Sequence, residues 1–204
     1  MALQNKVDPF GNIVAIQMRG QLMGNRGGRI HDPETRALLP KRRWATRQWI
    51  CCLTEFKARH RKVMGKGYTE LFFLDEVSAF AAGHRPCYEC RRKAATDFAR
   101  CWAEAHNLEQ PPKAGEMDII LHQQRLDDRN KRTLMVKSDD LPDGAMIELN
   151  EQFFARQNDR WHRWSPNGYI DSMELSNSLV RLLTPPTIIG VLRKGYSPQW
   201  YKSE

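Results

Sequence analysis

The most constraining feature of this chain is a pair of cysteines separated by two residues, Cys87 and Cys90, directly after Pro86. This spacing lets both sulfurs turn toward one point while the intervening backbone N–H groups donate to them, which favours the thiolate form that metals need. Proline stiffens the approach to the turn. The spacing therefore predicts half of a metal site, and the alternative is a pair of reduced structural cysteines.

A four-coordinate zinc site needs two further ligands, which are cysteines or histidines in most structural sites. Cys51 and Cys52 belong to an apolar run, Trp49 to Leu53, that predicts a buried strand. Because consecutive strand residues point to opposite faces, at most one of these two thiols reaches the metal. The other candidates are His60 and His84.

The charge of the chain is concentrated in one segment. The 204 residues carry a net charge of +8, whereas the segment from Arg36 to Lys66 holds ten basic residues and one acidic residue, Glu55. We call residues 36–66 the basic segment. Basic side chains in such excess repel one another unless an anion is nearby, so the segment predicts a surface that binds phosphate. The alternative is a solvated basic face.

The expected partner of the basic segment is nucleic acid, with DNA as the first expectation. Trp44 and Trp49 lie between the bases as candidate stacking groups. Bases that flank the two thiols extend the predicted surface. The residues predicted to contact nucleic acid are Arg42, Arg43, Arg47, Arg59, Arg61, Lys62, Arg85, Arg91 and Arg92.

The region that contains the thiol pair resembles the zinc-binding domain of the Ada family of DNA methyl-phosphotriester repair proteins. Shared features are a phenylalanine pair, here Phe72 and Phe73, a short helix, and the run Ala-Ala-Gly-x-Arg-Pro-Cys-x-x-Cys-Arg that ends at Arg91. The resemblance covers residues 51–92. It implies that Cys87 and Cys90 are zinc ligands and that the neighbouring bases contact DNA phosphates.

The other two ligands of the Ada family are cysteines four residues apart, the first of which also accepts the methyl group. Counting back without gaps places these positions at Phe56 and His60. His60 is able to bind zinc and Phe56 is not, so the fourth ligand and any acceptor thiol have to come from Cys51 or Cys52. The expected metal ligands are therefore Cys52, His60, Cys87 and Cys90.

The N-terminal half shows several further patterns. The glycines between Arg19 and Arg29 predict an irregular connection, and residues 33–39 predict a short helix that ends before a proline. Residues 71–74 predict a strand, after which Asp75 caps a helix that stops at Gly83. The apolar periodicity of residues 88–106 predicts a longer helix.

Two consecutive prolines within residues 110–115 mark the best internal boundary. It separates residues 1–110, the Ada-like module with its N-terminal extension and basic segment, from residues 111–204, although the two parts can also pack as one domain. The predicted fold class is α+β, an Ada-like zinc-binding or former zinc-binding module elaborated by a mainly β C-terminal part. The predicted C-terminal elements are helices at 117–126 and 187–194 and strands at 132–136, 145–149, 153–156, 161–164 and 179–183.

No run approaches the ~18 apolar residues of a membrane span, and Met1 to Asp8 lacks the apolar core of a signal peptide. We therefore expect no membrane partner and a reducing, cytoplasmic location in which the five cysteines remain thiols or bind metal. The oligomeric state stays open.

These patterns predict a nucleic-acid-binding protein that uses a basic surface next to a Cys/His metal site, in DNA repair or modification. One alternative is a zinc-thiolate methyl acceptor that uses Cys51 or Cys52. The other is a metal-dependent nuclease or another phosphodiester-processing enzyme. Its candidate residues are His31, Asp32, His60, His84, His122 and His162 with Glu76, Asp127 and Asp128.

Overall fold

The computed structural model describes residues 2–58 and 62–203, and in these residues it shows a mixed fold of four α-helices and two six-stranded sheets. The predicted α+β class is confirmed. Among the described residues, no helix combines the length and the apolar character that crossing a membrane requires.

The first sheet is built from short strands of the N-terminal half: β1 (Lys6–Val7), β2 (Ile13–Val14), β3 (Leu22–Arg26), β4 (Trp49–Leu53), β5 (Leu71–Phe73) and β6 (Arg85–Pro86). Their order in the sheet is β2-β1-β5-β3-β4-β6. Strand β4 pairs antiparallel with β3 and parallel with β6, and β5 pairs parallel with β1. The bounds of β4 match the predicted strand.

Helix α1 (Glu76–Ala81) follows β5 because Asp75 caps it as predicted. The Ser78 backbone N–H donates to Asp75 Oδ1 at 2.8 Å, and the Ser78 hydroxyl closes the reciprocal half of a capping box. The chain then turns at Gly83, whose φ of +80° suits glycine, and enters β6. Two longer helices follow, α2 (Arg92–Ala105) and α3 (Ala114–Arg125).

The second sheet is antiparallel throughout and comes from the C-terminal half, in the order β13-β12-β11-β10-β14-β9. Two of its hairpins turn through pairs of left-handed residues, as two-residue loops of this kind require. Its strands are β9 (Leu134–Lys137), β10 (Met146–Leu149), β11 (Gln152–Gln157), β12 (Arg160–Ser165), β13 (Gly168–Met173) and β14 (Leu179–Leu182). A small hairpin precedes it, β7 (Leu126–Asp127) and β8 (Asn130–Lys131), and helix α4 (Pro186–Arg193) follows it.

The largest hydrophobic core draws side chains from both sides of the predicted boundary. Phe98 and Trp102 of α2 are buried in it together with Ile147 of β10 and Ile188 of α4. The C-terminal tail adds polar contacts, since the backbone N–H of Tyr201 donates to Asp75 at the start of α1. The two halves of the chain therefore share one core.

The glycine-rich stretch predicted as a connection is instead β3, in the interior of the first sheet. A Cβ on Gly24 would lie 2.1 Å from the carbonyl oxygen of Ile50 in β4 and 2.9 Å from the ring of Phe73 in β5. The glycine is thus needed for close approach of neighbouring backbone and side chain within a strand, and not for a flexible loop.

The predicted helix at residues 33–39 is absent, and the chain makes turns there. Asp32 Oδ1 accepts hydrogen bonds from the backbone N–H groups of Glu34 and Thr35, which is an alternative to helical pairing. Arg36 then adopts a left-handed φ of +59°, which a helix does not tolerate.

Candidate functional site

The structure brings three cysteines together at one edge of the first sheet. The parallel register of β4 and β6 pairs Cys51 with Pro86, so the next residues along, Cys52 and Cys87, lie side by side on the same face. The turn between β6 and α2 then returns Cys90 toward them. The three Sγ atoms all lie within 4.8 Å of one another. We call these three residues the thiol triad.

Backbone groups support the sulfurs of the thiol triad. The N–H of Glu89 donates to Cys87 Sγ and the N–H of Leu53 donates to Cys90 Sγ, each at 3.4 Å. Such N–H···S contacts stabilise thiolates, and the one from Glu89 comes from between the two cysteines, as the spacing of the pair predicted. Zinc–sulfur bonds of about 2.3 Å in a tetrahedral site place the sulfurs roughly 3.8 Å apart, so small shifts would suffice to bind zinc.

The triad distributes its protons unequally. The hydrogen bond from the Cys52 thiol to Cys87, followed by the one to Cys90 and by burial, raises the pKa of Cys52. Accepting from Cys52 and then from Cys90 holds the pKa of Cys87 well below its usual range. At Cys90 the hydrogen bond from Cys52 acts to lower the pKa, but donation to Cys87 and burial outweigh it and the pKa is raised. Near neutral pH, the metal-free triad therefore has Cys87 as a thiolate that accepts hydrogen bonds from the protonated thiols of Cys52 and Cys90.

Cys51 lies on the opposite face of β4 and takes no part in the triad. Its side chain has no solvent exposure, and Arg91 Nη1 donates to its sulfur at 3.2 Å. Burial is the main cause that raises the pKa of this thiol. This arrangement matches the expectation that at most one of the two adjacent cysteines reaches the site. It also shows that Cys51, which was a candidate acceptor thiol, has no access to a substrate.

Two arginines predicted to contact nucleic acid are turned into the protein. Arg85 makes a two-pronged contact with Asp118 of α3, at 2.9 Å and 2.7 Å, and both side chains are buried. Arg91 donates to Glu76 Oε1 at 2.7 Å, again with little exposure of either side chain. A buried guanidinium that is paired with a carboxylate does not bind a phosphate. If it left its partner, the carboxylate would remain buried without a counter-charge.

The other described residues of the predicted nucleic-acid surface are exposed. Arg92 is at the start of α2, and Lys62 follows the segment 59–61 that lies outside the described residues. Arg59, His60 and Arg61 fall within that segment, so their predicted roles remain predictions. Five of these side chains are exposed and form no ion pair with an acidic side chain among the described residues: those of Arg42, Arg43, Arg47, Lys62 and Arg92.

Of the two tryptophans in the basic segment, only Trp44 keeps a partly exposed ring. Trp49 is 3% exposed, and the guanidinium groups of Arg26 and Arg125 lie over its ring at 4.1 Å and 3.9 Å. Its indole is thus occupied by cation–π contacts inside the fold. The stacking role predicted for Trp49 does not fit this burial.

None of the described histidines joins the thiol triad. His84 is fully buried between the rings of Phe73 and Trp49, and burial is the main cause that lowers its pKa. His31 contacts Thr69 and Gly65 through its two ring nitrogens. Within residues 2–58 and 62–203, the thiol triad is the group with the geometry of a metal site, so the histidine-based nuclease has no assembled site there.

A pocket of about 280 Å³ lies on the triad's side of the sheet. Its floor follows the strand register, because Cys52 pairs with Met23 of β3 and Met23 pairs with Phe72 of β5. All three triad cysteines line the pocket. The other lining residues are Asn25, Ile50, Leu53, Thr54, Phe56, Val63, Tyr68, Glu70 and Glu89.

Comparison with protein-family models, with curated proteins and with solved structures gave no match. The resemblance to the Ada family is therefore carried by the motif of this chain alone.

Sequence reasoning missed the pocket and the ion network behind Cys51. Asn25 and Met23 belong to the glycine-rich stretch, and nothing local in that stretch indicates a strand beside β4. Glu70 lies in a short polar run before β5. The one local signal was Glu76, which directly follows a helix cap and lies close to the thiols in sequence.

Proposed function

We propose that this protein is a zinc-thiolate protein that binds nucleic acid through its basic segment. The observation that carries the proposal is the approach of the Sγ atoms of Cys52, Cys87 and Cys90 to within 4.8 Å of one another. Three thiols this close repel one another once ionised, unless a cation lies between them. A soft, three-sulfur donor set suits zinc, with copper(I) and iron as the other metals of this ligand class.

The fourth ligand in this proposal is His60, as the sequence predicts. The chain length between Cys52 and His60 allows a return to the site, but the residue lies outside the described residues. A His60→Ala variant should bind zinc more weakly while keeping the triad. The matched control is His106→Ala, which removes an exposed imidazole just beyond α2.

The nucleic-acid part of the proposal rests on where the exposed bases lie relative to the triad. Arg42, Arg43 and Arg47 precede β4, and Lys57 and Lys62 follow it, so cations lie at both ends of the strand that carries Cys52. Within the described residues, these five bases form no ion pair with an acidic side chain. Unpaired cations around a partly exposed tryptophan are typical of a phosphate-binding surface.

The metal is tested by elemental analysis of protein purified without added metal. About one zinc per chain is expected, and its loss should follow denaturation or treatment with a strong chelator. Stoichiometric iron or copper in place of zinc would correct the metal and keep the site. Protein that holds no metal and takes up none when zinc is added would overturn the zinc-thiolate proposal.

The nucleic-acid surface is tested by fluorescence anisotropy with labelled DNA and RNA over a range of salt concentrations. Arg42→Glu combined with Arg47→Glu should weaken binding strongly and reduce the slope of log K against log salt by about 0.9 per lost phosphate contact. The control is Lys137→Glu combined with Lys202→Glu, which makes the same charge change at two exposed positions outside the basic segment. Equal effects of the two changes would show that net charge alone attracts the nucleic acid.

A second candidate is methyl acceptance by a triad thiolate, favoured by the fact that all three sulfurs line the pocket. The thiolate sulfur would attack the methyl carbon of a phosphotriester, the carbon–oxygen bond would break, and the phosphodiester anion would leave. Mass spectrometry after incubation with methyl-phosphotriester DNA should place one methyl group on Cys52, Cys87 or Cys90. An unmodified protein that still binds the DNA would exclude this reaction.

A further inference from the structure

The pocket beside the thiol triad has a lining that a metal site does not need. At about 280 Å³ it lies just below the range of about 300–1,000 Å³ of small-molecule sites, which suits a ligand with a single small ring system. Three aromatic side chains contribute to the wall: Phe56, Tyr68 and Phe72. Aromatic faces bind flat rings by stacking and do so with little regard to the ring's substituents.

Two polar side chains supply a donor and an acceptor to the same pocket. Asn25 Oδ1 accepts from the backbone N–H of Gly27 at 2.9 Å, which orients the amide and leaves Nδ2 as its donor. Glu70 is 6% exposed, and its Oε2 accepts from the backbone N–H of Met64 at 2.7 Å. A carboxylate held in this way favours a ligand that brings N–H donors, because hydrogen bonds to an ionised acceptor are stronger than those between neutral groups.

The charges of the pocket argue against an anionic ligand inside it. Glu70 lines it, and no basic side chain of residues 2–58 and 62–203 is among its lining residues. Among the described residues, Lys57 and Lys62 are exposed and do not line the pocket, although they are the sequence neighbours of the lining residues Phe56 and Val63. This arrangement places a neutral ring in the pocket and a phosphate at its rim.

We propose that the pocket binds a nucleobase that carries an exocyclic amino group: cytosine, adenine or guanine. Glu70 accepts from the amino group, Asn25 donates to a ring nitrogen or carbonyl oxygen, and the aromatic wall stacks on the ring. The base comes from a single strand or from a free nucleoside. In its single-strand form this inference rests on the proposed nucleic-acid binding.

The experiment uses the zinc-loaded full chain and two kinds of probe. Free cytidine, adenosine, guanosine and uridine are titrated by calorimetry, with uridine as the base that lacks an amino group. Short single-stranded DNA and a fully abasic strand of equal length are compared by fluorescence anisotropy. The variants are Glu70→Gln, with exposed Glu55→Gln as its matched control, and Thr54→Trp, which fills the pocket from an exposed position.

The inference predicts that amino-bearing nucleosides bind more tightly than uridine and that Glu70→Gln weakens them about tenfold or more, while Glu55→Gln has no effect. Thr54→Trp should abolish nucleoside binding, and it should also remove the preference for the intact strand over the abasic strand. Because Thr54 is exposed, this second variant keeps the test valid if Glu70→Gln fails to fold.

Two results separate the failure of this inference from the failure of the proposed function. If wild-type protein binds intact and abasic strands equally, with a full salt slope, and binds no nucleoside, the pocket is not a base site although the basic surface stands. If it binds no oligonucleotide yet binds amino-bearing nucleosides in a manner sensitive to Thr54→Trp, the base site stands and the nucleic-acid surface fails.

Discussion

The two faces of the first sheet carry neighbouring cysteines in opposite surroundings. On one face Cys52 meets the thiols of Cys87 and Cys90 at a pocket, and backbone N–H groups donate to the sulfurs of those two partners. On the other face Cys51 lies under α1 with no exposure, in contact with Arg91. The same side-chain chemistry thus serves a candidate metal centre on one face and core packing on the other.

The face of Cys51 is closed by a network of hydrogen bonds and an ion pair around Glu76. Glu76 accepts from Arg91, from the Tyr196 hydroxyl at 2.9 Å and from the Gln199 backbone N–H at 2.9 Å. Tyr196 and Gln199 belong to the C-terminal tail, so this network fastens the end of the chain to the start of α1. Cys51 thus contacts, through Arg91, a network that holds the C-terminal tail, whereas Cys52 lines a pocket with the other two thiols of the triad.

The largest expected effect comes from removing a triad thiol. Cys87→Ser should reduce bound zinc from about one per chain to near zero, because two sulfurs and the weaker hydroxyl ligand cannot complete the site. Elemental analysis measures this change. Cys101→Ser removes a buried thiol of α2 that lies outside the triad, and it should leave the zinc content unchanged. Equal zinc in both variants would contradict the assignment of the triad.

A second prediction tests the opposite face. Glu76→Gln should lower the free energy of unfolding by about 3–5 kcal/mol, because it leaves the nearly buried Arg91 without its counter-charge. Denaturant unfolding measures the loss, with Glu104→Gln in an exposed ion pair on α2 as the control. Zinc content should stay near one per chain. Loss of zinc in this variant would show that the two faces are coupled.

A third prediction concerns the pH dependence of metal binding. The pKa values of Cys52 and Cys90 are raised, so both thiols are protonated near neutral pH in the metal-free protein, whereas the lowered pKa of Cys87 leaves it ionised. The metal-bound state holds fewer protons, so acid favours the metal-free state. Zinc affinity should rise about 100-fold per pH unit as about two protons are released.

Competition with a chromophoric chelator at several pH values measures that slope. A slope near zero would mean that all three thiols are already ionised before the metal binds. It would contradict the raised pKa values of Cys52 and Cys90.

The smallest expected effect sharpens the contrast between the two adjacent cysteines. Cys51→Ala should cost about 1 kcal/mol of stability, because Arg91 loses one weak sulfur acceptor but keeps Glu76. Its zinc content and its zinc affinity should equal those of the wild type. A clear drop in affinity would mean that Cys51 contributes to the metal centre despite facing away from it.

The local patterns of this chain were sufficient for most of its elements, and they indicated the three cysteines that the fold brings together. The apolar run gave β4 its observed bounds, Asp75 capped the predicted helix, and strand alternation separated Cys51 from Cys52. These features follow from short-range sterics and hydrogen bonds, which depend on neighbours within a few residues.

Tertiary structure alone decided which basic residues face the solvent and what surrounds the triad. Arg85 and Arg91 belong to the same basic motif as Arg92, yet their carboxylate partners, Asp118 and Glu76, turn them inward through contacts distant in sequence. Likewise, β3 lies between β5 and β4, where a side chain at Gly24 would meet the Ile50 carbonyl oxygen of β4. The sequence by itself was enough to identify the thiols and the strand that carries one of them. Only the fold decided the pocket beside them, because charge pairing and close packing depend on which distant segments meet.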